Sequence, residues 1–193
     1  MDFIDRQVRF AVWMQSAGAV SLAPRDRCIS GGSMLKNISL NILFVVSLLI
    51  TSGCRAENLS PSTTRQVEAE VMEAFRGLVE ASRSLDANRY FGYFNKEKFT
   101  GLGADGKVWH SINNLEEIIS TGFPAVEKIM SLEFRNVKVT VINQSTAILV
   151  NEYDETILLK NKNIVKQSGG GTQVWTKSER GWKLVSISAS DAR

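Results

Sequence analysis

The chain has 193 residues, 44% of them hydrophobic and 22% charged, with a net charge of +3. That supports one ordinary domain with a real core, and it matches neither a nucleic-acid binder nor a disordered acidic tail. The two cysteines, Cys28 and Cys54, precede the part that patterns as folded, and His110 is the sole histidine, which argues against a disulfide framework or structural metal site and rules out a multi-histidine centre.

The longest apolar run, "ISLNILFVVSLLI" from Ile38 to Ile50, is 13 residues, short of the roughly 20 needed to cross a bilayer as a helix. Lys36 precedes it, and Thr51, Ser52 and Gly53 lead out of it to Cys54. A positive start, a short apolar core and a small-residue exit describe a secretory signal. The "TSGC" that ends it resembles the lipobox of bacterial lipoproteins, with Thr51 where leucine is usual. The resemblance implies that Cys54 is acylated and becomes the mature N-terminus, a lipid attachment point rather than a nucleophile. A buried core helix ending on an inert cysteine is the competing reading, but it leaves the polar, aperiodic "RAENLSPSTTR" after it unexplained. That stretch reads as a tether between membrane and domain.

The expected organisation is an extension over residues 1–33, a signal over 34–53, a tether over 54–63 and a domain over 64–190. Residues 1–33 contain Asp2, Asp5 and Asp26, whereas "MLKNISLNILFVVSLLITSGC" from Met34 has the proportions of a whole signal. Translation is therefore expected to start at Met34, with a genuine extension as the alternative. Arg55 after the cysteine, where enteric retention signals carry aspartate, points to the periplasmic side of the outer membrane in a two-membrane host.

In the folded part, Thr63 followed by Gln66 fits a capping box, and Val67, Val71, Phe75, Leu78, Val79 and Leu85 recur at helical spacing, predicting a helix over 64–85. Asp86 can cap a second, shorter helix carrying "NRYFGYF". "KFTGLGADGKVWH" reads as strand, turn at Asp105-Gly106 and return strand. Asn113–Met130 reads as helical, interrupted near Gly122-Phe123, with Pro124 opening a second segment. After Met130 the period changes to two: Leu132, Phe134, Val137, Val139 and Val141 mark one strand, "TAILVNEYDETILL" the next, and "GGGTQVWTK" with "GWKLVSISAS" a closing hairpin that turns at Ser178–Gly181. Helices first and an antiparallel meander last describe an α+β domain, a curved sheet wrapped on N-terminal helices to make a cone with one open mouth.

This order of elements, "FTGLGADGKVWHS" and the ending "GGGTQVWTKSERGWKLVSISAS" resemble the SnoaL-like, nuclear transport factor 2-like superfamily, its small ketosteroid-isomerase-like domains above all. The resemblance covers about residues 64–190. It implies a cone-shaped, cystatin-like fold, a pocket between helices and sheet, and dimerisation through the sheet, but no single activity, because one fold hosts many. Many relatives carry two histidines on the final strand where this chain has Ser186 and Ser188.

Several residues are candidates for the pocket. On the last strand Ser186, Ser188 and Ser190 share a face with Trp182 and Leu184 by strict alternation. The resemblance favours that face as cavity lining; a dimer or sheet surface explains small polar residues equally well. Tyr90 and Tyr93 fit the core, and either hydroxyl could also polarise a carbonyl. Ketosteroid isomerisation needs a buried carboxylate as well, for which Asp86, Glu152 and Asp154 are candidates, Asp86 being better explained as a cap. Glu152 alternates with Tyr153, so only one of the two can point inward. Trp109 precedes His110, the natural proton shuttle as sole imidazole, though a lone histidine is more often structural or at the surface. "GGGT" at 169–172 lacks the helix and lysine of a phosphate loop and reads as a strand entry or bulge. The pattern implies no cofactor, no metal and no nucleic acid; the expected partners are the membrane, a small apolar ligand and a second copy of the chain. Two other readings compete with a binding or accessory module. One is an isomerase or hydro-lyase with Tyr90 or Tyr93 as donor and His110 or Glu152 as base; the other is an envelope interaction module.

Overall fold

A computed structural model describes residues 59–192. Cys54, the apolar run and everything before them lie outside the described residues, and among those described no helix is long and apolar enough to cross a membrane. Ser60 caps the first helix, its hydroxyl accepting from Thr63 N at 3.1 Å, with Pro61 at the first helical position. Both are favourable there, because the first N–H groups lack intrahelical partners anyway. Helix α1 (Pro61–Arg83) thus begins before the expected capping box. Thr63 lies inside it, and Gln66 donates onward to Glu70 Oε1 at 3.0 Å. Val67, Val71, Phe75, Leu78 and Val79 form its buried stripe, as their spacing predicts. Asp86 caps α2 (Ala87–Phe91), accepting from Arg89 N at 2.9 Å.

Strands β1 (Thr100–Leu102) and β2 (Val108–Trp109) form the expected short hairpin. Helix α3 (Ile112–Ala125) corrects the expected pair of segments: Pro124 sits in its last turn, and Val126 already has extended backbone (φ −80°, ψ 131°). A proline in the final turn removes a bond where the ladder is ending, so it closes this helix instead of opening another. Residues 126–130 belong to strand β3 (Val126–Asn143), because Val126 pairs with Leu159 and Ile129 with Ile157.

Strands β4 (Thr146–Leu159), β5 (Ile164–Ser178) and β6 (Gly181–Asp191) complete the meander. The sheet order is β2-β1-β6-β5-β4-β3, with β1 parallel to β6 and the other pairings antiparallel. Gly181 at φ 87° makes the β5–β6 turn, a conformation that a Cβ would strain. β3 carries several register shifts, one between Arg135 and Lys138 with Asn136 at φ 50°. That bulge lets Leu132 and Phe134 share a face with Val137, Val139 and Val141, and such bulges bend a sheet. The result is the curved, unclosed six-stranded sheet of a cone, with α1 against β3, β4 and β6. Phe75 of α1 meets Phe134 of β3 edge to face at 5.1 Å. Tyr90 stacks among Phe91, Phe94 and Phe123 at 5.1–5.9 Å.

Candidate functional site

β4 alternates without interruption, and Ala147, Leu149, Asn151, Tyr153, Glu155, Ile157 and Leu159 are its buried side. Directly paired residues project to the same face, so Gln173, Gly171, Gly169, Gln167 and Val165 of β5 stand opposite Leu149, Asn151, Tyr153, Glu155 and Ile157. Among apolar neighbours this places a polar row: Asn151, Glu155 and Gln173 are at most 4% exposed, and Gln167 is half-buried.

A glycine at 169 is required by close approach. A Cβ there would lie 2.0 Å from the Ser190 carbonyl oxygen and 2.8 Å from the Tyr153 ring. The glycine run is thus interior strand, paired on both sides, and not the strand entry or bulge expected from sequence. It lets the Tyr153 ring lie down on the sheet.

The polar row is incompletely satisfied. Gln167 Nε2 donates to Glu155 Oε2 at 2.6 Å, and Trp175 Nε1 donates to Gln173 Oε1 at 3.0 Å. Both side-chain polar atoms of Asn151, Glu155 Oε1 and Gln173 Nε2 are buried without a hydrogen-bond partner. Such groups are uncommon in folded proteins, and each costs about 1–3 kcal/mol unless water or a ligand meets it. Burial raises the Glu155 carboxyl to about 8, against a smaller opposing effect of the Gln167 hydrogen bond. It is therefore a neutral acid at neutral pH, able to donate.

The opposite end of the same face is closed. Glu70 of α1 accepts from Lys177 Nζ at 2.6 Å and Trp182 Nε1 at 2.8 Å, and these bonds hold its carboxyl down at about 2. That ties helix to hairpin.

The residues expected from sequence are dispersed. Tyr90 is core, its phenol pushed up by complete burial. Tyr93 is half-buried with its hydroxyl in a notch over Gly77 of α1, where a Cβ would lie 2.1 Å away. Trp109 is buried against Gly101, while His110 beside it is exposed. Glu152 is exposed on the outer face, opposite Tyr153, and Asp154, also outward, pairs with Arg135 at 2.5 Å. The serine face also corrects the expectation. Trp175 pairs with Leu184 but Val174 with Ser186, so Val185 is an extra residue and the alternation changes phase. Trp182, Leu184, Ile187 and Ala189 line the inside, leaving Ser186 and Ser188 outside. Tyr90 and Glu152 are thus on opposite sides of the sheet. Asn151 and Glu155, which the sequence reading passed over, were signalled by the period of two that carries Leu149, Tyr153 and Ile157 inward. Among the described residues no group of three or more His, Cys, Asp or Glu could hold a metal ion.

A family profile described as a SnoaL-like domain matches residues 71–192. No curated protein matches the sequence. Among solved structures, the chain is similar to a nuclear transport factor 2-like superfamily protein from Salmonella enterica (18% identity, 67% of this chain and 94% of that one, TM-score 0.56). It is also similar to a protein provisionally named scytalone dehydratase from Novosphingobium aromaticivorans (7%, 69% and 89%, 0.64), and to the association domain of Caenorhabditis elegans CaMKII (14%, 67% and 98%, 0.55). At these identities the likeness is one of fold.

Proposed function

The chain belongs to the SnoaL-like domain family, and on that premise we propose that it is a lipid-anchored protein of the bacterial cell envelope whose cone takes up a small, mainly apolar ligand by its polar end. One observation carries the binding reading: the buried polar atoms of Asn151, Glu155 and Gln173 that no protein group meets, aligned on one sheet face among apolar side chains. A small-molecule site has this composition, mostly apolar with a few convergent polar groups. The anchor is supported by the apolar run Ile38–Ile50 and its "TSGC" exit at Cys54, with the periplasmic side of the outer membrane as its place in a two-membrane host.

Native mass spectrometry of the protein taken from its own envelope tests both parts. A mass increment of a diacylglyceryl-modified Cys54 and a co-purifying small molecule are expected. Unmodified protein that stays in the membrane fraction after Cys54→Ser rejects the anchor.

A second reading, an isomerase or hydro-lyase, is favoured by Glu155 alone, a buried carboxyl that changes charge near physiological pH. Pairing with a second copy has separate support in the outer sheet face, where Ile142 and Val150 are exposed beside half-buried Ile148 and Val174.

A further inference from the structure

We propose that the tip made by the β4–β5 turn and the start of β3 is a docking surface for anionic phospholipid headgroups. It lies on the outer side of the sheet, apart from Cys54 and from the polar row inside, and needs neither of them. Charge is the first ground. Residues 59–192 carry sixteen Lys and Arg against sixteen Asp and Glu, so the domain as a whole is neutral. Four of those cations gather at this tip, Lys128, Lys160, Lys162 and Lys166, all exposed, beside one carboxylate, Glu127, which accepts from Lys162 Nζ. Lys128, Lys160 and Lys166 have no ion-pair partner among the described residues.

Apolar exposure is the second ground. Directly paired residues share a face, so Lys128, Leu158 and Ile164 form one row and Ser131, Thr156 and Lys166 the next. Glu133 and Asp154 follow, the latter held by Arg135, and mark the border of the patch. Ile164 is 57% exposed, more than any other large apolar side chain described. An isoleucine projecting among lysines suits a lipid interface: the apolar group enters the headgroup region while the ammonium groups meet phosphates. The lysine stems add apolar length of their own. The turn that presents them is firmly bonded. Leu159 N donates to the Asn163 carbonyl at 2.9 Å, Lys162 N to the Leu159 carbonyl at 2.8 Å and Lys160 N to the Ala125 carbonyl at 3.0 Å. Lys162 takes φ 70°, a left-handed backbone that suits glycine or asparagine better. A charge thus stands where the backbone alone favours another residue. A protein partner fits this tip less well. Stable protein interfaces engage about 20–30 residues a side, whereas the two rows and the turn come to ten.

Lysine footprinting on the full chain tests the surface. A water-soluble acylating reagent is applied with vesicles of phosphatidylcholine alone, with vesicles that also contain phosphatidylglycerol, and with soluble polyglutamate, and peptide mass spectrometry reads each lysine. Attachment through Cys54 or the apolar run is common to both kinds of vesicle, so the comparison isolates the tip. Lys128, Lys160 and Lys166 should be protected by the phosphatidylglycerol vesicles only, and high salt should remove the protection. Lys107, in the β1–β2 turn, should react equally throughout. Lys160→Ala and Lys166→Ala, both at exposed positions, should each weaken binding to phosphatidylglycerol vesicles about fivefold, and Ile164→Ser should weaken it further. Equal acylation of the tip on the two kinds of vesicle overturns the proposal, as does equal protection of Lys107. If polyglutamate protects the tip as well as the lipid does, and Ile164→Ser changes nothing, the surface fits an acidic polypeptide and the lipid proposal is wrong.

Discussion

Towards the β5–β6 hairpin, the inner face of the sheet holds Ala147, Leu149, Trp175, Trp182 and Leu184, all buried, with α1 tied across them by Glu70. Further along the same strands and the same face come Asn151, Tyr153, Glu155, Gln167 and Gly169. The first end is sealed although Gln173 Nε2 beside Trp175 is left unmatched; the second keeps both side-chain polar atoms of Asn151 and Glu155 Oε1 buried and unmatched. A fold under selection for stability alone would fill the second end as it fills the first, since well-packed apolar residues in place of half-satisfied polar ones are often neutral or stabilising. On the binding reading proposed above, the second end gives up stability to receive a ligand.

The sharpest way to break this comparison is at the sealed end. Trp175 is fully buried, and Trp175→Ala should cost about 3–5 kcal/mol, a large share of a domain's stability. Denaturant unfolding reads it. A loss below about 1 kcal/mol would mean that the hairpin does not close the core.

Next comes Gly169→Ala, whose methyl would meet the Ser190 carbonyl and the Tyr153 ring. The backbone cannot yield as a flexible side chain would, so a loss of about 1–3 kcal/mol is expected. Tolerance of alanine would show that this part of the sheet is loosely held.

The two glutamates should respond to pH in opposite directions. Glu155 titrates near 4.5 when unfolded and about 8 when folded. Between those values the folded state holds the extra proton, so stability falls as pH rises across that window and levels off above it. Glu155→Gln should flatten this slope. Glu70, held at about 2 against 4.5, contributes stability that is present above 4.5 and lost as pH falls towards 2; Glu70→Gln should remove that acid-side slope. Thermal melts across pH distinguish the two, and parallel slopes in the two variants would erase the contrast between the two ends.

The smallest effect is expected from Ser188→Ala. Ser188 is half-exposed on the outer face, so the change should stay within about 0.5 kcal/mol and leave ligand binding untouched. Weakened binding of a cone ligand would put the serine face back inside.

Much of the frame was legible because it depends on local periodicity. The stripe Val67–Val71–Phe75–Leu78 makes α1 wherever it packs, Asp86 caps α2 from its own side chain, and the alternation of "TAILVNEYDETILL" delivers β4 with matching ends. What failed was phase. Residues 126–130, expected to be helical, are strand because Leu159 and Ile157 pair with them. The serines of β6 moved outside because Val185 is an extra residue that no pairing absorbs.

By itself, then, the sequence determined the class of fold, the order of its elements and the character of each strand, since these follow from residue spacing and turn chemistry within a few positions. Only the tertiary structure decided which face of each strand looks inward past a bulge, because a one-residue slip reverses every later side chain and is set by the partner strand. It likewise decided that Glu155 is a neutral acid and Glu152 a solvated one. That difference lies in burial, which outweighs the opposing Gln167 hydrogen bond, and in nothing within the residue itself.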